Sequence, residues 1–309
     1  MASPSALRAN YDNLYSSDAL PVLELLFDNE FSRHPSLRQV LFNVRSTDRD
    51  IWQSSEMHDL PFWNKMTEGE DYDFVSQKQG ANKTFVMQKF GLGVSFSEEL
   101  ISDGKFDLVA MAIRKLASSG AETQEVDAMN VFNNGFTSET TWDGRPIFDT
   151  AHTLPSGSTF RNELSVAADL SPSSLETALI DFEKQFIGDG GEIKNIRPKV
   201  LLVPSELKRT AMEITQSALK ADTADNNMNP FLQDSLRVVS SPHLTDSDGW
   251  YLLASPEDTG LQVIQRQAMR TKAAGPDAGF SNDSIYYKAS YREEIGATHA
   301  YGVYGSPGA

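Results

Sequence analysis

The chain has 309 residues, with 27 Lys and Arg against 43 Asp and Glu for a net charge of -16, no cysteine, 17 Phe and 4 Trp. At ~100 to 200 residues per domain this length suits two compact units, and 39% hydrophobic against 23% charged residues is the balance of a folding chain, not a disordered one. Disulfides, thiolate metal sites and cysteine nucleophiles are excluded, no apolar run is long enough to span a membrane, and no stretch of Lys and Arg is dense enough to neutralise a line of phosphates.

The first ten residues, with one Arg and no apolar run, do not read as a secretory signal. Residues 1–50 are polar and irregular apart from Leu20 to Phe27, whose close Leu, Val and Phe spacing predicts one short helix anchoring an arm. From Asp71 to Phe96 the pattern becomes strand-like. Phe74 and Val75 fall on one limb and Thr84, Val86 and Phe90 on the other, and Gly80-Ala81-Asn82 supplies turn residues, so a long hairpin is predicted. Gln77, Lys78, Gln79, Lys83, Gln88 and Lys89 make both faces too polar for a core sheet, so the hairpin should project, with Phe85, Val86 and Met87 only partly exposed on it.

Phe106, Val109, Ala110, Ile113, Leu116, Ala117, Ala121, Ala128, Val131 and Phe132 recur at helical spacing, which predicts a single helix about 40 Å long, ended by a left-handed cap at Asn133-Asn134-Gly135. Thr137 to Ser165 reads as a long loop. Ser171-Pro172 then opens a helix in the favoured cap-then-proline order, with Leu175, Leu179, Phe182 and Phe186 along one face before Gly188. Lys199 to Val203 is a short buried strand, and Pro204-Ser205 restarts a helix through Ile214. Strands follow at Leu236 to Ser240, Trp250 to Ala254, Leu261 to Gln265 and Ile285 to Tyr291, between Pro, Asp and Gly turns. Helices and strands are partly segregated, an α+β pattern.

Chemistry is sparse. Gly91-Leu-Gly93 supplies two glycines of a dinucleotide fingerprint, but lacks the third and opens no helix, so it reads as a strand with close backbone approach. Asp246-Ser-Asp248-Gly249 begins like a calcium loop, yet Trp250-Tyr-Leu-Leu follows where ligands should, which makes it a turn. Asp149 and His152 lie three apart in the loop, while His34, His58, His243 and His299 are isolated, so no metal-ligand spacing arises. The serines lack a G-x-S-x-G context, including those near Gly302 to Gly308. No catalytic, cofactor-binding or metal-ligating residue is therefore predicted.

The order of arm, hairpin, long helix, helix, strand, helix and late return strands resembles the tailed-phage major capsid fold named for the Hong Kong phage. Asn130-Val-Phe-Asn-Asn-Gly-Phe136, Asp143-Gly-Arg-Pro-Ile-Phe148, Lys199-Val-Leu-Leu-Val-Pro-Ser-Glu206 and Gly302-Val-Tyr-Gly-Ser-Pro-Gly308 are similar to stretches of Mu-like prophage head subunits. The resemblance covers residues 50–309. It implies an N-terminal arm at 1–65, an intersubunit hairpin called the E-loop at 66–98, a peripheral domain with a spine helix at 99–168 and 263–309, and an axial domain at 169–262. It further implies a head subunit that self-assembles as pentamers and hexamers into an icosahedral virion shell, made in the bacterial host cytoplasm with no membrane partner. Such a shell encloses double-stranded DNA without binding its sequence, and an acidic wall suits that by repelling phosphate. A maturation protease and a portal are implied partners, and the lack of a long charged helical segment ahead of the arm points to a separate scaffold. Cross-linking through Lys78, Lys83 or Lys89 is weighed against lysines that merely deter edge pairing. Two alternatives remain at this point: a bacterial encapsulin shell holding cargo enzymes, and an acidic α+β enzyme whose site would be a buried titratable cluster in the 137–165 loop.

Overall fold

The computed structural model describes residues 20–57, 60, 62–72, 74–75, 79–97, 99–100, 103–188, 190–217, 231, 236–274 and 284–309. Among these, the helices are α1 (Leu20–Phe31), α2 (Arg38–Leu41), α3 (Phe106–Asn133), α4 (Pro172–Gln185) and α5 (Lys208–Gln216). The strands are β1 (Asn43–Ser46), β2 (Ile51–Met57), β3 (Gln79–Val86), β4 (Gln88–Ser97), β5 (His152–Thr153), β6 (Thr159–Phe160), β7 (Val200–Pro204), β8 (Arg237–Ser241), β9 (Trp250–Leu253), β10 (Leu261–Ala274), β11 (Ser284–Ala297) and β12 (Val303–Ser306).

The spine, α3, is the element that the apolar period foretold. Phe106, Val109, Ala110, Ile113, Leu116, Ala117, Ala121, Ala128, Val131 and Phe132 are all buried on it. Its first half packs, with Leu23, Leu26 and Phe27 of α1, on the inner face of a four-stranded sheet ordered β1-β10-β11-β4, where Phe96, Ile285, Tyr287 and Ala289 wait. Its second half joins Leu41, Phe42, Tyr251, Leu253 and Leu261 in a further cluster, which bridges to the second sheet. The helix end differs from expectation: Asn134 sits at φ -100°, and Gly135 is not left-handed. Gly135 is needed for space, because a Cβ there would stand 2.7 Å from the Phe148 ring.

The second sheet, ordered β12-β9-β7-β8, carries the other core. The run Val200–Pro204 is buried along its whole length, as a central strand covered on both sides must be. Leu175, Ala178, Phe182 and Phe186 of the α4 segment and Ala211 and Ile214 of α5 cover one face, around Leu201, Val203, Trp250 and Tyr304. At the start of α4, Ser171 and Ser174 cap each other's backbone N–H groups, with Pro172 following. The strand extends through Pro204 and α5 begins only at Lys208, so the expected restart at Pro204-Ser205 is a turn. The C-terminal strand β12 pairs antiparallel with β9, returning the chain from the first sheet to the second.

Three expectations fail in the first third of the chain. Residues 38–46 are not irregular, since Leu41 and Phe42 are buried and β1 pairs in parallel with β10. Nor does the chain turn at Gly80-Ala81-Asn82. Those residues lie inside β3, which pairs antiparallel with β2, Ile51 opposite Val86 and Met57 opposite Gln79. The register slips between Ser55 and Met57, beside Gly80, so the glycine marks a bulge and not a turn. Phe85 and Met87 were read as partly exposed, yet they are 2% and 6% exposed and seat on Ile264, anchoring the ribbon's base. β10 and β11 also run well past their expected ends, because their far halves alternate polar with apolar residues and lose the signal of a buried run.

Candidate assembly surfaces

The β2–β3 pair makes a two-stranded ribbon, and ~3.3 Å per residue carries its tip roughly 20 Å from the anchored base. At that base Lys83 donates to the Thr140 carbonyl at 2.6 Å and pairs with Glu139 at 3.7 Å, tying ribbon to body. The amine is thus occupied within its own subunit, which disfavours it as a cross-linking group. Lys78 lies outside the described residues, and Lys89 is exposed on β4. Beyond the ribbon, the tip exposes Phe62, Trp63, Tyr72 and Phe74 at 76%, 97%, 75% and 95%. A run of bare aromatics of this size marks a surface that another molecule covers.

The tip is also acidic: Glu68, Glu70 and Asp71 are exposed beside these rings. A turn through Gly69, at φ 88°, orders it, with the Thr67 N–H and hydroxyl both donating to Glu70 at 2.8 Å. Those hydrogen bonds hold the Glu70 carboxyl below its ordinary value.

The outer face of the first sheet has the opposite charge. Lys272 stands directly across from Lys288, which faces Gly93; one pair along, Arg270 faces Ser290 and then Gly91; next, Arg292 faces Lys89. Directly opposed residues share a face, and the buried set of β11, Tyr287, Ala289 and Tyr291, points the other way. A basic surface therefore exists although no basic run does, which corrects the expectation drawn from linear spacing.

The residues singled out for chemistry fall into structural roles. Gly91 and Gly93 lie in β4, where a Cβ would crowd the β11 backbone at 3.2 to 3.3 Å, the close approach expected of them. Asp246 accepts from the Asp248 N–H at 3.1 Å in the turn before β9. His299 is half-buried between Trp142 and Tyr301, and desolvation pushes its ring down to about 4. The Gly302 to Gly308 run carries β12. His58 lies outside the described residues, while His34 is exposed in the turn after α1 and His243 is half-buried in the turn after β8.

The 137–165 loop does hold a buried titratable pair. His152, 1% exposed, meets Asp143 Oδ2 through Nδ1 at 2.8 Å, and through Nε2 meets the Ile147 carbonyl at 3.2 Å and Asn162 Oδ1 at 3.1 Å. Asn162 in turn accepts from the Asp149 N–H at 2.9 Å and donates to the Ile147 carbonyl at 2.6 Å. Burial raises the Asp143 carboxyl, but hydrogen bonds from His152, Thr141 and Arg145 outweigh it and hold the group below its ordinary range. Both ring nitrogens are thus engaged by the fold's own oxygens. The pair works as a latch that folds the loop back on itself, and Asp149, read beside His152 in the sequence, contributes its backbone. Among the described residues no group of three or more His, Asp or Glu side chains is placed to hold a metal ion.

Two sheets joined by a spine helix, with an aromatic ribbon tip reaching outward, form a subunit of a self-assembling protein shell. The model of the family described as phage capsid protein matches residues 81–305, and the chain belongs to that family. It is a structural major capsid subunit, a component of the virion shell. No curated protein sequence matches the chain. Among solved structures it is similar to a capsid of the cyanophage P-SCSP1u (11% identity, TM-score 0.59, covering 89% of this chain and 90% of that one). It is similar also to a chain of Microbacterium phage Oxtober96 (13%, 0.54, 86% and 88%) and to a virus-like particle from Pyrococcus furiosus (13%, 0.54, 92% and 97%). These likenesses carry the fold, α+β with the phage major capsid arrangement.

Proposed function

We propose that the subunit's work is wholly geometric: the ribbon tip seats on a neighbouring copy, the contact repeats around five-fold and six-fold axes, and closure gives a finite icosahedral shell around double-stranded DNA. The observation that carries this is the bare aromatic tip on an internally anchored ribbon. The proposed division keeps an arm at 1–65, an E-loop at 66–98, a peripheral domain at 99–168 and 263–309 and an axial domain at 169–262, with three adjustments: β2 joins the E-loop as its second limb, β4 belongs through β11 to the peripheral sheet, and β12 returns to the axial domain. No step of this work requires catalysis, a cofactor or a metal. A separate scaffold, a maturation protease and a portal would act on the shell from outside this chain, with assembly in the host cytoplasm.

Replacing residues 58–78 by a short Gly-Ser turn between Met57 and Gln79 tests the clasp. The cut spares β2, β3 and the buried Phe85 and Met87, so the unassembled subunit should keep its cooperative thermal melt by circular dichroism while negative-stain microscopy shows no particles. Normal closed shells from the truncated chain would show that the tip is not the clasp.

A further inference from the structure

A cavity of about 240 Å³ at the end of the spine holds more negative charge than its surroundings balance. Asp127 lines it from the last two turns of α3, Glu139 from the loop that follows, and Glu293 and Glu294 from β11. Arg38 answers Glu293 at 2.7 Å and Lys83 answers Glu139 at 3.7 Å. That leaves Asp127 and Glu294 with no ion-pair partner among the described residues. The helix adds to the excess, because Asn134, its C-cap, also lines the cavity and the last turn of α3 carries no basic residue. The negative end of the helix dipole therefore faces the same space, where a cation is favoured.

Two orphaned oxygens say what the cavity lacks. Glu293 is 1% exposed, with one oxygen on Arg38 and Oε1 left without a hydrogen-bond partner, and Asp127 Oδ2 is buried and equally unpartnered. A buried carboxylate oxygen can only accept, so both call for donors. No three carboxylates converge closely enough to strip a metal ion of its water. A magnesium-type ion needs no such cage, since it keeps several waters and takes one or two carboxylates, and the waters it polarises are the missing donors. We infer that the cavity binds one divalent cation, held largely through its own waters, whose two charges match Asp127 and Glu294. Bound there, it braces the end of the spine against β11 and against the Glu139 loop, to which Lys83 fastens the ribbon. The ion strengthens a single subunit and takes no part in closing a shell, so the inference does not depend on the shell reading.

The probe is Mn²⁺, which shares the octahedral oxygen chemistry of Mg²⁺ and reports its free concentration by electron paramagnetic resonance. Titrated into the purified full chain, it should show one saturable site per subunit, emptied by MgCl₂ but not by NaCl of equal ionic strength. MgCl₂ should also raise the melting temperature by about 2 to 4 °C more than that NaCl control does. Asp127→Asn with Glu294→Gln keeps the shape of the cavity and removes the unbalanced pair. This double variant should lose the site and the magnesium-specific rise, and Glu294→Gln alone should weaken binding by about tenfold. Removing two exposed charges elsewhere, with Glu183→Gln and Glu257→Gln, should change neither readout. No saturable site on the unaltered chain, or equal effects of MgCl₂ and NaCl, overturns the inference. Undiminished binding by Glu294→Gln and by the double variant puts the ion elsewhere and overturns it too.

Discussion

Four carboxyl groups, Asp127, Glu139, Glu293 and Glu294, line a cavity of about 240 Å³ where the spine's end, the following loop and β11 meet. Burial pushes all four above their ordinary values, against the opposing pull of Arg38 on Asp127 and Glu293 and of Lys83 on Glu139 and Glu294. Arg38 reaches Glu293 at 2.7 Å, both side chains deeply buried, so removing either would strand a charge in the interior. Glu294 is pushed up to about 7, by burial first and then by neighbouring Glu139. The folded state therefore holds this proton more tightly than the unfolded chain does. The resulting stabilisation is complete below the ordinary carboxylate range and is lost as pH rises through about 7. Glu294→Gln should flatten the decline of melting temperature between about pH 5 and 7 and gain most, relative to the unaltered chain, near pH 8. Parallel pH profiles for the two proteins would contradict this assignment. The cavity was not legible in the sequence, because its members come from a helix, a loop and a strand, and only Glu293 and Glu294 are neighbours along the chain.

At the scale of elements, legibility followed the strength of each periodic signal. The spine and α4 could be read almost residue by residue, because one apolar stripe at 3.6-residue spacing faces one core. The ribbon could not. It has no core face along most of its length, so no period marks its register, and local turn residues at Gly80-Ala81-Asn82 suggested pairing with the wrong partner. The Ser171 cap was legible as a Ser-Pro pair. Its hydroxyl accepts from the Ser174 N–H at 3.2 Å, so Ser171→Ala should lower subunit stability by about 1 kcal/mol in urea unfolding, and Ser171→Asp should retain most of it. An alanine variant as stable as the unaltered chain would mean that the Ser174 hydroxyl, which accepts from the Ser171 N–H at 2.8 Å, suffices alone.

At the scale of the whole molecule, composition allowed a shell subunit and the order of elements resembled one, but neither revealed the surfaces that perform the work. An acidic, cysteine-free chain with one long amphipathic helix and no catalytic constellation suits a shell subunit. The basic face on the first sheet escaped notice because Lys89, Arg270, Lys272 and Lys288 are gathered from three strands, one of them some 180 residues distant in sequence. The loop cluster around His152, which would have supported an enzyme, is present but closed on itself, so the aromatic tip and the basic face of the first sheet remain the surfaces with unmet demands. The central claim is that these demands are met by copies of the same chain. Electron microscopy of the purified protein, concentrated at near-physiological salt, tests it most directly. Closed particles of uniform diameter, or rings of five and six subunits on the way to them, are the expected result; a strictly monomeric protein across all concentrations and salts would contradict the account.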